Sequence, residues 1–299
     1  MTHFAYVPFT GLGLFRGFRG NHWLKNRITV FKQFVVPSLQ AQTNQNFKLW
    51  ISWRPEERNN PQVKSLHNYL ADLFGKDRVV FTYHGVCFWD DKYSDSEAHE
   101  RLITALHHSI ADLLEPIGDV DDVVMTIQPS DDCYHSGMVE EIQALFTNTD
   151  YQALGYQRGY IMSYQTKEVR EYNPDTNPPF FSIKFPKATF IDPFKHLKYT
   201  GPYKSHEYVG DTLKYLQIPS KRGFLVGTHG ENISTHFNIP YAGDAHEGVM
   251  HGFEWIAMVK PLKIRYSLRK WLMRKLPHRI QRKLRYWFGE LLLNKIYAK

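Results

Sequence analysis

Cysteine is almost missing from this chain: only Cys87 and Cys133 occur, and neither belongs to a Cys-x-x-Cys pair. That excludes a disulfide-built scaffold and a cysteine zinc site, and it suits a reducing compartment. No stretch reaches the ~18 consecutive apolar residues that a membrane-spanning helix requires. The amino terminus, MTHFAYVPFTGLGLFRG, lacks the charged start and unbroken apolar core of a signal peptide. Internal repeats and low-complexity segments are missing as well. These absences together predict a cytosolic chain.

What is present is enough for a large core. With 299 residues, 42% hydrophobic and 15% aromatic, the chain has material for one α/β domain, or for a domain with an appendage. Its formal charge of +7 is unevenly spread. Between Lys260 and Lys299 stand thirteen Lys or Arg against one acid, Glu290, a local net of +12; taking that from +7 leaves −5 for residues 1–259. The basicity belongs to the tail. A mildly acidic body argues against a nucleic-acid surface spread over the whole protein.

Residues 1–259 alternate short β-rich runs with longer helical patterns, which predicts a mostly parallel central sheet flanked by helices. HFAYVPF reads as a first strand and leads into the loop TGLGLFRGFRGN. A helical pattern follows from Leu24 to Gln42, interrupted by Pro37. FKLWISW is a second strand, and NPQVKSLHNYLADLFG is a helix with Gly75 at its C-terminal end. RVVFTYH is a third strand, followed by the helix SDSEAHERLITALHHSIADLLEP, stopped by Pro116. DVVMTIQ is a fourth. Beyond Asp150, YQALGYQRGYIMSY and EVREYNPDTNPPFFSIKF read as hairpin strands with a proline-rich turn, and GPYKSHEYVGDTLKYLQIP as a short helix.

The fourth strand carries an apolar run to Ser130-Asp131-Asp132, two carboxylates side by side. Adjacent carboxylates repel, so a site that keeps both ionised supplies a cation or a proton. In open α/β sheets ligands bind outside the carboxyl ends of the strands. The loop after the first strand and HGVCFWDD after the third fall on that same edge. The candidate contacts to a diphosphate are Thr10, Arg16, Arg19, Arg27, Asp91, Arg101, Ser130 and Asp131. Asp132 is a candidate ligand for Mg²⁺ or Mn²⁺, hard ions that need one or two carboxylates beside phosphate oxygens. The plain alternative is a solvated turn capping a helix that begins near Ser136.

His229, in LVGTHGENIST, sits between a strand end and a polar turn. An imidazole there can ligate a metal or orient a phosphate oxygen, although a lone histidine is more often structural. In KSHEYVGD, His206, Glu207 and Asp211 are candidate proton acceptors. They also fit an ordinary helix start, where the dipole favours acids. TGLGLFRG is neither a Walker loop nor a complete GxGxxG fingerprint.

The tail splits at Pro277. Ile264, Leu268, Trp271, Leu272 and Leu276 fall on one helical face, and Ile280, Leu284, Trp287, Phe288 and Leu291 repeat the pattern. Basic amphipathic helices with Trp on the apolar side suit an anionic membrane surface. The alternative is a helix pair packed on the body or on a second subunit.

Three segments carry a family resemblance: NRITVFKQFVVPSLQAQTNQNFKLWISW, VVMTIQPSDDC and GTHGENIST. Their order resembles a family of rhamnosyltransferases, similar to glycosyltransferases of the A-type fold, over roughly Phe4 to His236. The resemblance implies a glycosyltransferase A-like domain at 1–259, with the basic helical tail at 260–299 outside it. It implies sugar transfer from a nucleotide-diphosphate donor to a glycan or lipid-linked acceptor, with an Asp-x-Asp-type motif holding Mn²⁺ or Mg²⁺. Ser130 stands where that motif has its first acid, with Asp131 and Asp132 retained, and His229 becomes a second metal or diphosphate ligand. Two rival readings are a metal-dependent nucleotide-sugar hydrolase and a basic nucleic-acid-binding module. Product analysis with and without acceptor separates out the first. Salt-dependent DNA binding without sugar-nucleotide turnover would favour the second.

Overall fold

A computed structural model of the chain describes residues 1–13, 20–87, 93–200, 206–230, 232, 235–239 and 242–263. The chain divides into a unit of residues 1–262 and another of 263–299. The two amphipathic segments expected in the tail lie outside the described residues.

In chain order the elements are β1 (Thr2–Val7), β2 (Leu12–Gly13), α1 (Asn21–Val30), α2 (Val36–Gln40), β3 (Lys48–Ser52), α3 (Pro61–Phe74), β4 (Val79–Thr82) and β5 (Val86–Cys87). Then come α4 (Asp95–Ile117), β6 (Asp122–Ile127), β7 (Cys133–Tyr134), α5 (Met138–Asn148), β8 (Ala153–Ser163), β9 (Val169–Tyr172) and β10 (Phe181–Pro186). The unit closes with α6 (Lys187–Phe190), α7 (Pro193–Thr200), α8 (Val209–Thr212), β11 (Tyr215–Thr228) and β12 (Ala242–Ala245). The protein is an α/β fold with one large sheet flanked by helices.

The sheet runs in the order β12-β9-β8-β10-β6-β1-β3-β4, with β11 joined to β8 and to β7. Its first half is parallel: β6, β1, β3 and β4 all point the same way. The near-continuous burial of Phe4 to Val7 and Val123 to Met125 follows, since strands covered by helices on both faces bury every side chain. The second half is mixed. β10 lies antiparallel to both β6 and β8, and β8 and β9 form the expected hairpin. The Pro-rich stretch follows β9 rather than forming the hairpin turn. After a 3₁₀ turn and α8, the expected helix gives way to β11, because Tyr215, Leu216 and Ile218 pair with β8 in parallel register.

The helix between Asn21 and Gln40 is continuous through Pro37. A π turn at Phe31–Val35, with the Val36 N–H bonded to the Phe31 carbonyl, lies directly ahead of the proline. Proline lacks a donor and crowds the carbonyl four residues back, and one wide turn absorbs both problems. α4 likewise runs one residue past Pro116 and ends at Gly118, whose φ of 72° a glycine adopts readily.

From β1 the chain steps outward to β3 and β4, then returns to β6 on the other side of β1. Strand order therefore reverses between β1 and β6, and the loops leaving their carboxyl ends diverge there. This is where open α/β sheets place ligands.

Candidate active site

β6 delivers the aspartates to that reversal point. The Gln128 N–H bonds to the Tyr6 carbonyl of β1 at 2.8 Å, which keeps the two strands paired to their ends. The fully buried Gln128 side chain then folds under the next turn, its amide donating to the carbonyls of Pro129 (2.9 Å) and Asp132 (2.8 Å). Immediately afterwards β7 pairs with β11, Cys133 opposite Leu225 and Tyr134 opposite Phe224. The short β7 ladder brings Asp132 against β11, and the Gly227 N–H donates to its Oδ1 at 2.8 Å.

Asp131 faces the other way, into three donors supplied by two distant segments, α1 and the turn after β11. Its Oδ2 pairs with Nη1 of Arg27 on α1, and it takes hydrogen bonds from His229 Nε2 at 3.0 Å and Asn232 Nδ2 at 3.3 Å. Because Nε2 donates to the carboxylate, its 3.5 Å approach to Arg27 Nη1 is a meeting of two donors on one oxygen. Arg27 is 6% exposed, His229 1% and Asp131 16%, so the cluster is buried on all but one side. The turn behind His229 is self-locked: Asn232 Oδ1 accepts the His229 N–H at 2.8 Å, and its amide donates to the Gly227 carbonyl at 2.6 Å. Gly230, with φ of 76°, lets the chain fold back that tightly.

One aromatic pair ties this cluster to the π turn. The Tyr164 hydroxyl donates to the Asp131 carbonyl at 2.8 Å, and its ring stacks on Phe34 with centroids 3.6 Å apart. A Cβ at Gly227 would lie 2.2 Å from that ring, so glycine is needed for the approach of β11. The π turn that accommodates Pro37 thus also supports the backbone of Asp131.

The two carboxyls are driven apart in acidity. Burial pushes Asp131 up, but the Arg27 charge and the His229 hydrogen bond outweigh it and hold the group well below the usual carboxylate range. Asp132 goes the other way: burial first, and then the charge on Asp131, raise it well above its ordinary value, with the Gly227 N–H opposing. The adjacent aspartates therefore do not share a burden equally. Asp131 carries the charge and Asp132 favours its proton.

The other expected site residues are placed as follows. Thr10 is buried at the end of β1, where its hydroxyl donates to Glu57 Oε2 and its carbonyl takes Arg54 Nε at 3.3 Å. It ties β1 to the turn after β3. Ser130 is half-buried at the tip of the aspartate turn. Arg101 lies along α4 with its guanidinium 3.8 Å from the Tyr93 ring centre. His206 and Glu207 line an open groove of about 460 Å³ with Tyr172, Pro174, Asp175 and Thr235, a set that does not include Asp131 or His229. Asp211 is exposed on α8. Arg16, Arg19 and Asp91 lie outside the described residues. Asn232 and Tyr164 were not singled out from the sequence; only the His-Gly-x-Asn spacing hinted at the first.

The donor set bears on a divalent ion. Among the described residues no three His, Cys, Asp or Glu side chains converge. Asp131 Oδ2 and His229 Nε2 do face each other at 3.0 Å, the separation of adjacent ligands on an octahedral ion with bonds of ~2.1 Å; to serve as a ligand His229 would carry its proton on Nδ1 and leave Nε2 bare. Two protein ligands fit an ion that completes its shell with phosphate oxygens, not a free-standing metal site. Asp132, the residue expected to bind metal, is instead turned to the backbone of β11.

Residues 18–74 match the model of a family described as "Putative rhamnosyl transferase". That span holds α1 with Arg27, α2, β3 and α3. No curated protein matches the chain significantly. Among solved structures, residues 1–349 of TarS from S. aureus match at 12% identity and a TM-score of 0.42, over 76% of this chain and 60% of that one. The same protein in complex with UDP-GlcNAc gives 12% identity and 0.43, over 77% of this chain and 59% of that one. A "putative nucleotide-diphospho-sugar transferase" from Desulfovibrio desulfuricans G20 gives 15% and 0.36, over 76% and 81%. The chain spans about three fifths of the length of the TarS chains it matches.

Proposed function

We propose that the protein is a glycosyltransferase that moves a sugar from a nucleotide-diphosphate donor to a hydroxyl of a glycan or lipid-linked acceptor. The observation that carries this reading is the Arg27–Asp131–His229 cluster, set at the point where strand order reverses. The family match over residues 18–74, which includes Arg27, supports it. Rhamnose as the transferred sugar rests on the family description alone and is tested as one donor among several.

In such a transfer the acceptor oxygen attacks the anomeric carbon. The bond from that carbon to the diphosphate breaks, the nucleoside diphosphate leaves with the electron pair, and the hydroxyl proton passes to a base. On this reading Arg27 holds the leaving diphosphate, and a positioned donor there stabilises the negative charge that develops as the bond breaks. Mn²⁺ or Mg²⁺, held by Asp131 and His229, would add charge neutralisation at the same phosphates. His206, Glu207 and Asp211 are the candidates for that base named from the sequence, to be separated by mutation; the groove lined by His206 and Glu207 does not include Asp131 or His229. The basic stretch 260–299 is proposed to hold the enzyme on an anionic membrane surface. No helix among the described residues is long and apolar enough to cross one.

The test is a panel of nucleotide sugars, rhamnose donors included, assayed for release of nucleoside diphosphate with and without added Mn²⁺ and acceptor. Acceptor-dependent release that is lost in Asp131→Asn supports transfer. Release that ignores acceptor points to hydrolysis, and no release with any donor refutes the proposal.

A further inference from the structure

Asp131 Oδ2 is at once the best-placed oxygen for a divalent ion and the atom that Arg27 already occupies. An ion held between that oxygen and His229 Nε2 would meet the Arg27 guanidinium. A guanidinium in the coordination position puts a positive charge where the ion would sit, with His229 Nε2 donating to the same oxygen. Arg27 is also a side chain that phosphates bind well, since its planar fork matches phosphate oxygens in bidentate fashion. It projects from α1 beside the Trp23 ring, 5.7 Å from its centre, a neighbour that tolerates a sliding guanidinium.

We propose that Arg27 is an internal cation that closes the metal position on Asp131, and that a diphosphate opens the position by drawing Arg27 onto its own oxygens. This rests on the donor reading above. Two consequences follow from linkage. Ion alone binds weakly, because it must displace Arg27 and finds only two protein ligands. Ion and nucleoside diphosphate each raise the affinity of the other by the same factor. The arrangement keeps the site from holding a bare divalent ion and makes the donor complex the state in which the charges are redistributed.

The experiment is calorimetric titration of Mn²⁺ into the full chain, alone and with saturating UDP, in the wild type, Arg27→Met and Arg27→Lys. UDP–Mn²⁺ association is subtracted from a protein-free blank. An ion pair to a charged group is worth enough that its loss should tighten Mn²⁺ binding without UDP by about tenfold or more in Arg27→Met. The enhancement by UDP should shrink in that variant. Arg27→Lys, which keeps the charge, should stay close to the wild type. Melting temperature supplies a second readout: Mn²⁺ alone should raise that of Arg27→Met and leave the wild type nearly unmoved. Should Arg27→Met fail to fold, the wild type still decides, because Mn²⁺ binding as tight without UDP as with it overturns the proposal. UDP binding combined with unchanged Mn²⁺ affinity in Arg27→Met overturns the closure by Arg27 and leaves the donor site standing. Failure of every nucleoside diphosphate to bind, with or without ion, overturns the site reading itself.

Discussion

Replacing His3 by glutamine probes a buried polar chain that stitches the middle of the sheet. His3 is 2% exposed on β1. Its Nδ1 accepts from the Gln143 amide at 3.2 Å, which assigns the proton to Nε2, and Nε2 donates to Thr126 Oγ1 on β6 at 2.7 Å. Thr126 in turn shares a 2.6 Å hydrogen bond with Ser182 on β10. A protonated imidazole would turn a second N–H toward the Gln143 donor, so the ring must stay neutral. Burial lowers its pKa from 6.5 to about 3. The folded state therefore refuses a proton that the unfolded state accepts below pH 6.5. The stability this group contributes is complete above 6.5 and is lost as pH falls toward 3, at about 1.4 kcal/mol per pH unit. Between pH 6.5 and 5 that amounts to about 2 kcal/mol. His196, buried and lowered to about 4, adds a similar slope, but to wild type and variant alike. Glutamine keeps one donor and one acceptor without titrating. His3→Gln should start about 1–3 kcal/mol less stable at pH 7 and lose about 2 kcal/mol less than the wild type by pH 5. Urea unfolding followed by tryptophan fluorescence at pH 7, 6 and 5 measures both. Parallel stability curves for the two proteins would show that the neutral imidazole is not what the sheet depends on.

Asp131→Asn should cost about 3–5 kcal/mol, because it leaves Arg27 buried without its counter-charge. Asp132→Asn should stay within about 1 kcal/mol, since that carboxyl already favours its protonated form and an amide oxygen can accept the Gly227 N–H as well. Equal losses in the two variants would contradict the assignment of charge to Asp131. Gly227→Ala forces the Tyr164 ring off Phe34 and off the Asp131 carbonyl; a destabilisation of about 1–3 kcal/mol together with weaker nucleoside diphosphate binding is expected, and unchanged binding by calorimetry would disconnect Tyr164 from the site. Truncation from Lys263 onward should abolish flotation with anionic vesicles while leaving nucleotide binding intact, because each Lys or Arg near such a surface contributes about 1 kcal/mol. Flotation of the truncated chain would remove the membrane role from the tail.

The first half of the sheet was legible from sequence because each of its strands carries a short apolar run and the helices after β3 and β4 open on clear caps. Asn60 before α3 and Gly75 after it, or Ser94 with Glu97 opening α4, are local signals whose physics needs no distant partner. The second half was not. Tyr215 to Ile218 carries a pattern that fits a helical turn as well as a strand, and the choice is made by β8, some sixty residues earlier in the chain. The site divides along the same line. Ser130-Asp131-Asp132 announced itself, since two acids after an apolar strand are expensive anywhere else. Which of them carries the charge could not be read, because it depends on β7 pairing with β11. That two-residue ladder turns Asp132 toward Gly227 and leaves Asp131 to Arg27, His229 and Asn232. The sequence points to Arg27 as a contact for phosphate, whereas its partner in the structure is a carboxylate. A guanidinium paired with a buried aspartate is already desolvated and oriented, which is what the proposed transfer of Arg27 to a diphosphate requires. On that proposal the strength of the Arg27–Asp131 pair sets how readily a diphosphate takes the arginine over.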